Sequence, residues 1–118
     1  MGWLAAIDAL SRWHQFQNDF FDWNKDHGHG AVTFVLSEAQ RQARAGESLQ
    51  RWMLTKGVAW GRAYQQQLTA ALRQAVVPLH SPAFSAYVEV RAEMVERRFG
   101  ALEQGFTHLL ALQAAAEA

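Results

Sequence analysis

The chain has 118 residues, half of them hydrophobic and 19% of them charged, and its eleven basic and eleven acidic side chains cancel. We expect one domain, residues 1–118, because this length supports a single hydrophobic core. A neutral chain with interspersed charges lacks the basic patch of a nucleic-acid binder and the basic face of an anionic-membrane binder. The absence of cysteine excludes disulfides, thiolate nucleophiles and zinc–thiolate sites.

The sequence also favours a cytoplasmic location. The first residues lack the basic start of a signal peptide and soon meet Asp8 and Arg12. The longest largely apolar run, residues 31–36, is far shorter than the ~20 residues that span a bilayer. We therefore expect no transmembrane segment.

Residues 3–23 are predicted to form the first helix, because their apolar side chains recur at steps of three and four. Residues 24–30 collect turn-forming side chains and two glycines, and we expect them to form a loop that ends this helix. The apolar stripe of the helix consists of Ile7, Leu10, Trp13, Phe16, Phe20 and Trp23.

Residues 31–77 form the second predicted helix, or two helices if the chain breaks near Gly46. Glycine costs about 1 kcal/mol against alanine in a helix interior. An unbroken helix of this length would be a rod of about 70 Å, which is too long for a compact monomer of this size. Gly57 and Gly61, four residues apart, predict that another helix comes close here or that a large ring lies against the backbone.

Ser81 and Pro82 predict the start of a third helix, residues 83–113, since serine caps helix N-termini and proline fits the first helical position. Glu93 and Arg97 are spaced to form an ion pair on this helix, worth only about 0.3 kcal/mol. The apolar residues alternate steps of four and three, the rhythm of a helix that packs along other helices. They are Val88, Ala92, Val95, Phe99, Leu102, Phe106 and Leu109.

Together these patterns predict an all-α protein, a single helical domain with three long amphipathic helices, or four if residues 31–77 are divided. No strand-type alternation or hairpin turn competes with this interpretation. The apolar stripes exceed what one copy can cover, so we expect a helical bundle or a coiled-coil-like homo-oligomer, a dimer to tetramer.

His27 and His29 are the obvious candidates for metal binding, since imidazole is a good ligand for zinc, nickel or copper. Asp22 and Asp26 lie nearby in the sequence. A convincing site, however, needs three or four ligands in a defined geometry, and no second cluster has ligand spacing. We therefore predict a solvated, helix-breaking loop with no metal and no other cofactor.

The remaining polar clusters also favour structural interpretations. His80 beside Ser81 has no orienting acid that would complete a catalytic triad, so Ser81 is interpreted as a helix cap. Glu89, Glu93 and Glu96 lack the Glu-x-x-His pattern of helical di-iron sites. They are predicted to form a solvated face paired with Arg97 and neighbouring Arg98. We predict no catalytic residue, and the chain is not expected to be an enzyme.

Large aromatic side chains crowd the first two predicted helices. Most of them are expected in the core, but three elongated helices offer little interior, so some must meet another subunit or an apolar surface. Tryptophan and phenylalanine on a helix without a cationic face suit a neutral hydrophobic surface. The candidates for contact with a hydrophobic surface or a partner are Trp13, Phe16, Phe20, Trp23, Trp52 and Trp60.

Two stretches of the sequence resemble the phasins, small proteins that coat polyhydroxyalkanoate granules in bacteria. Residues 37–52 read SEAQRQARAGESLQRW, an Ala/Gln-rich helix followed by a break and Glu-Ser-Leu-Gln. Residues 59–68 read AWGRAYQQQL and contain an Arg-Ala-Tyr-Gln segment. The total length and the absence of cysteine also fit.

The resemblance implies a non-catalytic coat protein whose apolar stripes rest on the polyester while Gln, Arg and Glu face the cytosol. Away from the granule, the same stripes would be buried between subunits. An alternative from a different class is a helical adaptor or accessory subunit whose stripe always binds a protein partner. A metal-dependent enzyme is a third class, and it depends only on the histidines.

Overall fold

The computed structural model describes residues 2–117, of which 87% are helical, with no strand among them. The all-α prediction is confirmed. None of the described helices combines the length and the apolar character that crossing a membrane requires. In chain order the elements are α1 (Trp3–Phe21), α2 (Trp23–Gly28), α3 (Phe34–Gln42), α4 (Leu49–Trp52), a π-helical turn (Met53–Gly57), α5 (Val58–Val76), a 3-10 turn (Val77–Leu79) and α6 (Pro82–Glu117).

The first helical region does not end where the sequence predicts. Asp22 interrupts the helix, and α2 then runs through most of the predicted loop. The stop comes at Gly30, which adopts a left-handed φ of 71°. Its N–H donates to the carbonyl of His27, and the N–H of Ala31 donates to the carbonyl of Asp26. This pair of bonds is a Schellman motif, which satisfies the last carbonyls of a helix. The prediction of a loop over residues 24–30 is wrong except at its end.

Residues 31–77 form two helical segments and not one rod. The break predicted near Gly46 is present, because α3 ends before it and Gly46 adopts a φ of 82°. Side chains cap the segments on either side of the break. Thr33 Oγ1 accepts from the N–H of Leu36 at 3.1 Å, and Ser48 Oγ accepts from the N–H of Arg51 at 3.0 Å. Caps of this kind contribute about 1 kcal/mol each.

The start of α6 confirms the sequence prediction. Pro82 is its first residue, and the Oγ of Ser81 accepts a hydrogen bond from the N–H of Phe84 at 3.2 Å. The expected Glu93–Arg97 ion pair is also present on this helix. At 36 residues, α6 measures about 54 Å, which accounts for the long axis of the 58 × 28 × 21 Å molecule.

The helix α5 lies between α1 and α6 and runs antiparallel to α1. The Nε1 of Trp13 donates to Thr69 Oγ1 at 2.9 Å. One turn further along α1, the Phe16 ring lies 4.6 Å from the Tyr64 ring, so the residue number on α5 falls as that on α1 rises. The short α3 packs on α1 as well.

Aromatic rings join α1 to α6, and these two helices run in the same direction. The Trp3 and Phe84 rings are 5.7 Å apart at the start of both helices. The Phe20 and Phe99 rings are 4.9 Å apart near the end of α1. Because α6 continues well past Phe99, its last turns extend beyond the end of α1.

The apolar stripe of α6 is covered over most of its length but not at its end. Val88, Ala92 and Phe99 are buried, and Phe106 packs against the core. Leu109, the last residue of the predicted stripe, is 43% exposed. The core itself has two adjoining parts, one formed by Phe16, Phe20, Val35, Ala39, Trp52, Met53, Val58 and Phe99 and the other by Trp13, Leu72, Val76, Val88 and Ala92.

The predicted solvated face of α6 is only partly correct. Glu93 pairs with Arg97 on the same helix, and both side chains are exposed. Glu89 instead reaches across to Arg73 of α5 at 2.8 Å, and Glu96 also binds an arginine of α5. Two of the three carboxylates, Glu89 and Glu96, therefore line the α5–α6 contact, which the sequence of one helix could not reveal.

Candidate interaction surface

The six aromatic residues predicted to contact a surface or a partner lie mostly inside the chain. Trp23 and Trp60 are partly buried. The other four are 0% to 4% exposed, namely Trp13, Phe16, Phe20 and Trp52. For these four to touch a granule or a partner, the helices would first have to separate. Their assignment to a contact surface stays a prediction.

Packing of α1 against α5 and α3 accounts for this burial. The Phe16 ring lies 4.6 Å from Tyr64 and 5.7 Å from Trp60 of α5, and 6.4 Å from Phe34 of α3, measured between ring centres. Aromatic contacts of this kind add about 0.5–1.5 kcal/mol per pair beyond the area that they bury. The packed helices therefore bury the Phe16 ring, which an isolated helix would leave exposed.

Large apolar side chains are exposed together where α1 and α6 begin. Leu4 is 83% and Val90 is 59% exposed. The Trp3 ring contacts Phe84, whose ring centre lies 6.2 Å from that of Tyr87, so this surface continues from one helix to the other. Such a surface on a small protein commonly marks an interaction site. We call it the apolar patch, formed by Trp3, Leu4, Ile7, Tyr87, Val90 and Met94.

The α6 half of the apolar patch is a second apolar stripe that the sequence analysis missed. Tyr87, Val90 and Met94 are spaced by three and four residues, as on one face of a helix. This stripe lies about 100° around α6 from the buried one, because Tyr87 directly precedes Val88. The available signal was adjacent apolar residues at Tyr87–Val88 and Met94–Val95, which one stripe cannot explain.

A groove runs between α1 and α6 beside the apolar patch, with a cavity volume of about 280 Å³. None of the described residues that line it is acidic. The Arg98 guanidinium lies 3.7 Å from the centre of the Phe21 ring, and Arg91 lies 5.6 Å from that of Tyr87. The α1–α6 groove is lined by Trp13, His14, Gln17, Asn18, Arg91, Met94, Val95 and Arg98.

Burial and the positive charge of this groove both affect the pKa of His14. Burial lowers the pKa of His14 below its ordinary value of 6.5, and the positive charge of Arg91 lowers it further. The imidazole is therefore neutral at neutral pH. The fixed positive charges of the groove belong to Arg91 and Arg98.

A second depression, with a volume of about 230 Å³, lies between α1, α3 and α5. Its floor is aromatic and includes Phe16, Phe34 and Tyr64. Burial raises the pKa of Asp19 at its rim, against the effect of a hydrogen bond that Gln15 donates to that carboxylate at 2.9 Å. This depression offers aromatic contact area, and the charged side chains around it are of both signs.

His27 and His29 are exposed on the last turn of α2 and just after it. Within residues 2–117, no group of three His, Asp or Glu side chains is placed to hold a metal ion. The surface chemistry that stands out is apolar contact area beside two arginines. Comparison of the chain with protein-family models, with curated proteins and with solved structures finds no match.

Proposed function

We propose that the chain is a non-catalytic helical protein that coats a hydrophobic surface, in the way that phasins coat polyhydroxyalkanoate granules. The observation that carries the proposal is the apolar patch. Its two halves meet at the contact between Trp3 of α1 and Phe84 of α6, and we expect them to rest on one surface. A net charge of zero suits a neutral polymer better than an anionic membrane.

We expect one copy to bind weakly and reversibly through the patch. Full burial of a large apolar side chain contributes about 1.5–3 kcal/mol, and the patch residues are already partly covered by their own chain. Six of them therefore contribute several kcal/mol before the entropy of association is subtracted. Copies that act together add their contacts, so an oligomer binds more firmly than a monomer.

We further propose that the free protein is a cytoplasmic homo-oligomer, a dimer to tetramer, that buries its apolar patch between copies. Coiled-coil-like contacts would involve the end of α6, where Leu109 and Leu112 are 43% and 55% exposed. Light scattering tests this proposal. A particle of one chain's mass, 13.3 kDa, at every concentration would contradict it.

A second candidate function is a helical adaptor or accessory subunit for a protein partner. The α1–α6 groove favours it, because a trough between two helices can accept a third one. In this case the chain would form a defined complex with one protein and would not accumulate on granules.

The test is a partition assay with purified polyhydroxyalkanoate granules. We expect the wild type to sediment with the granules at low and high salt alike, because apolar contact is little screened by ions. The variant Leu4→Gln/Val90→Gln/Met94→Gln should stay in solution, since it removes the most exposed part of the patch. Val32→Gln is the matched control: Val32 is also exposed but precedes α3, outside the patch.

Circular dichroism of the same samples must show unchanged helix content. Wild type that stays soluble beside granules at every salt concentration would overturn the granule proposal. Retained binding by the triple variant would overturn the role of the patch. Replacement of Trp13, Phe16 and Phe20 by Ser is expected to weaken granule binding only together with loss of folded structure, because these side chains are in the core.

A further inference from the structure

The contact between α5 and α6 shows how α6 binds a neighbouring helix. Glu89, Glu96 and Glu103 follow one another at intervals of seven residues along one flank of its buried stripe. Arg73 binds Glu89 through two hydrogen bonds of 2.8 Å. Arg62 binds Glu96 through its Nε at 2.6 Å and reaches Glu103 at 3.5 Å. An apolar seam with charges repeating every seven residues is the arrangement that selects partners in helix pairs.

The opposite flank of α6 carries the same repeat with the opposite charge. Arg91 and Arg98 are also seven residues apart, and both line the α1–α6 groove. Within residues 2–117, neither of these two arginines lies within ion-pair distance of a carboxylate. Arg97, on the same part of α6, binds Glu93. Among the described residues, Arg91 and Arg98 therefore lack the carboxylate partners that Arg62 and Arg73 of α5 have.

The two guanidinium groups are held in place by aromatic rings. Arg98 lies over Phe21 and Arg91 lies over Tyr87, which restricts their motion and keeps their N–H groups available for other acceptors. Holding a side chain in its binding position reduces the entropy that a ligand must overcome. The guanidinium groups of Arg91 and Arg98 are therefore held in positions from which they can donate hydrogen bonds to carboxylates.

We propose that the α1–α6 groove binds an acidic amphipathic helix of another protein. Two carboxylates seven residues apart on that helix would pair with Arg91 and Arg98, since both spacings are about 10.5 Å. Its apolar face would cover Met94, Tyr87 and Ile7. This inference rests on the second candidate function, the adaptor, and names the chemistry of its partner.

The dimensions of the groove favour a helix over a small ligand. The α6 residues that line it run from Arg91 to Arg98, and the Tyr87 ring under Arg91 extends this surface by about one turn. From Tyr87 to Arg98, α6 spans about 16 Å, or about three helical turns. An open trough of this length covers a helix over several turns, whereas small ligands favour more enclosed cavities.

The experiment measures the binding of a designed peptide to the full chain by fluorescence anisotropy. The labelled probe is a 21-residue helical peptide with a Leu/Ala seam at heptad positions and two Glu residues seven apart. It is prepared with the glutamates on either flank, and a control peptide carries Gln in their place. We expect one Glu peptide to bind, binding to weaken as salt is raised, and the Gln peptide to bind less tightly.

Variants of the chain assign the effect to the two arginines. Arg91→Gln/Arg98→Gln should weaken binding about tenfold, the effect of two partly exposed ion pairs. Arg97→Gln removes the same charge from the adjacent position outside the groove and should leave the affinity unchanged. In Arg91→Glu/Arg98→Glu, the preference should reverse, so that a peptide with Lys in place of Glu binds better.

Failure of both Glu peptides to bind, or equal loss of affinity in Arg97→Gln, would overturn the proposal. Binding of anionic phosphatidylglycerol vesicles through Arg91 and Arg98, without binding of the peptides, would assign the groove to a lipid surface and overturn it too. The granule assay distinguishes this failure from that of the coat proposal. If the chain coats granules, Arg91→Gln/Arg98→Gln should still sediment with them, because a neutral polyester offers no carboxylate helix.

Discussion

The ring of Phe20 lies directly on the backbone of Gly61. A Cβ placed on Gly61 would overlap that ring, so the contact between α1 and α5 at this point depends on the missing side chain. The sequence predicted such an approach from Gly57 and Gly61, four residues apart. Gly57 instead makes room for side chains of its own helical segment, since its Cβ would come within 2.7 Å of the Trp52 ring and the Met53 sulfur.

We predict that Gly61→Ala destabilises the fold even though alanine favours helix. Forcing a methyl group into a packed core costs about 1–3 kcal/mol, and a rigid ring cannot yield as a flexible side chain can. Gly105→Ala is the matched control, because Gly105 lies in α6 with nothing near its Cβ position. That change should stabilise the chain by up to about 1 kcal/mol. Urea unfolding of both variants measures the difference, and a gain of stability in Gly61→Ala would contradict the packing described.

We predict that Phe99→Ala lowers the free energy of unfolding by about 3–5 kcal/mol. Phe99 is fully buried, and its ring contacts those of Phe20 and Phe21. Leu102→Ala should cost about 2 kcal/mol, the lower end of its range, since Leu102 is only partly buried. Urea unfolding checks both values. A loss below half of one kcal/mol at both positions would mean that this stripe does not face the core.

The features that the sequence predicted correctly depend on neighbouring residues. The Ser81–Pro82 start of α6 and the break at Gly46 follow from local backbone chemistry, which acts in the same way in most folds. The buried stripe of α6 is also predictable, because heptad spacing is a property of its own sequence and does not depend on which helix packs against it.

The incorrect or missing features depend on contacts between distant segments. The coverage of Trp13 and Phe16 requires knowing that α5 lies on α1, and sequence spacing within α1 does not contain that information. The same holds for Glu89, whose partner Arg73 is on another helix. The patch residue Met94 was overlooked because a single stripe was assigned to a helix that has two.

We predict that Gln65→Met stabilises the protein. Gln65 is 3% exposed in the middle of α5, and neither its amide nitrogen nor its amide oxygen has a hydrogen-bond partner among the described residues. Burying an unpaired polar group costs about 1–3 kcal/mol, and methionine fills a similar volume without that cost. The expected gain is about 1 kcal/mol in urea unfolding. Gln67→Met, at an exposed position of the same helix, should change stability little; equal effects would contradict the account.

We predict that His27→Ala/His29→Ala leaves the fold and partner binding nearly unchanged. The turn after α2 depends on the left-handed backbone of Gly30 and on hydrogen bonds between main-chain atoms, which need no imidazole. Gly30→Ala should be destabilising instead, because alanine disfavours a positive φ. Circular dichroism and thermal unfolding compare the variants. Stoichiometric transition metal in purified wild type that is lost in the double variant would contradict the prediction.

The last prediction concerns the titration of His14. Its pKa is lowered first by burial and second by Arg91, so Arg91→Gln should raise the pKa of His14 without restoring 6.5. Arg97→Gln, outside the groove, should leave it unchanged. The chemical shifts of the His14 ring protons across pH measure both.

The sign of the effect on stability follows from the direction of this shift. As pH falls below 6.5, the ordinary value of histidine, His14 binds a proton more readily in the unfolded chain than in the fold, so its contribution to stability is lost as pH approaches the lowered pKa. Between about pH 7.5 and about pH 5.5, the wild type should therefore lose more stability than His14→Gln. Urea unfolding at both pH values gives this difference. If the variant loses as much stability as the wild type, His14 is as free to ionise in the fold as in the unfolded chain, and the groove does not carry the positive field attributed to Arg91.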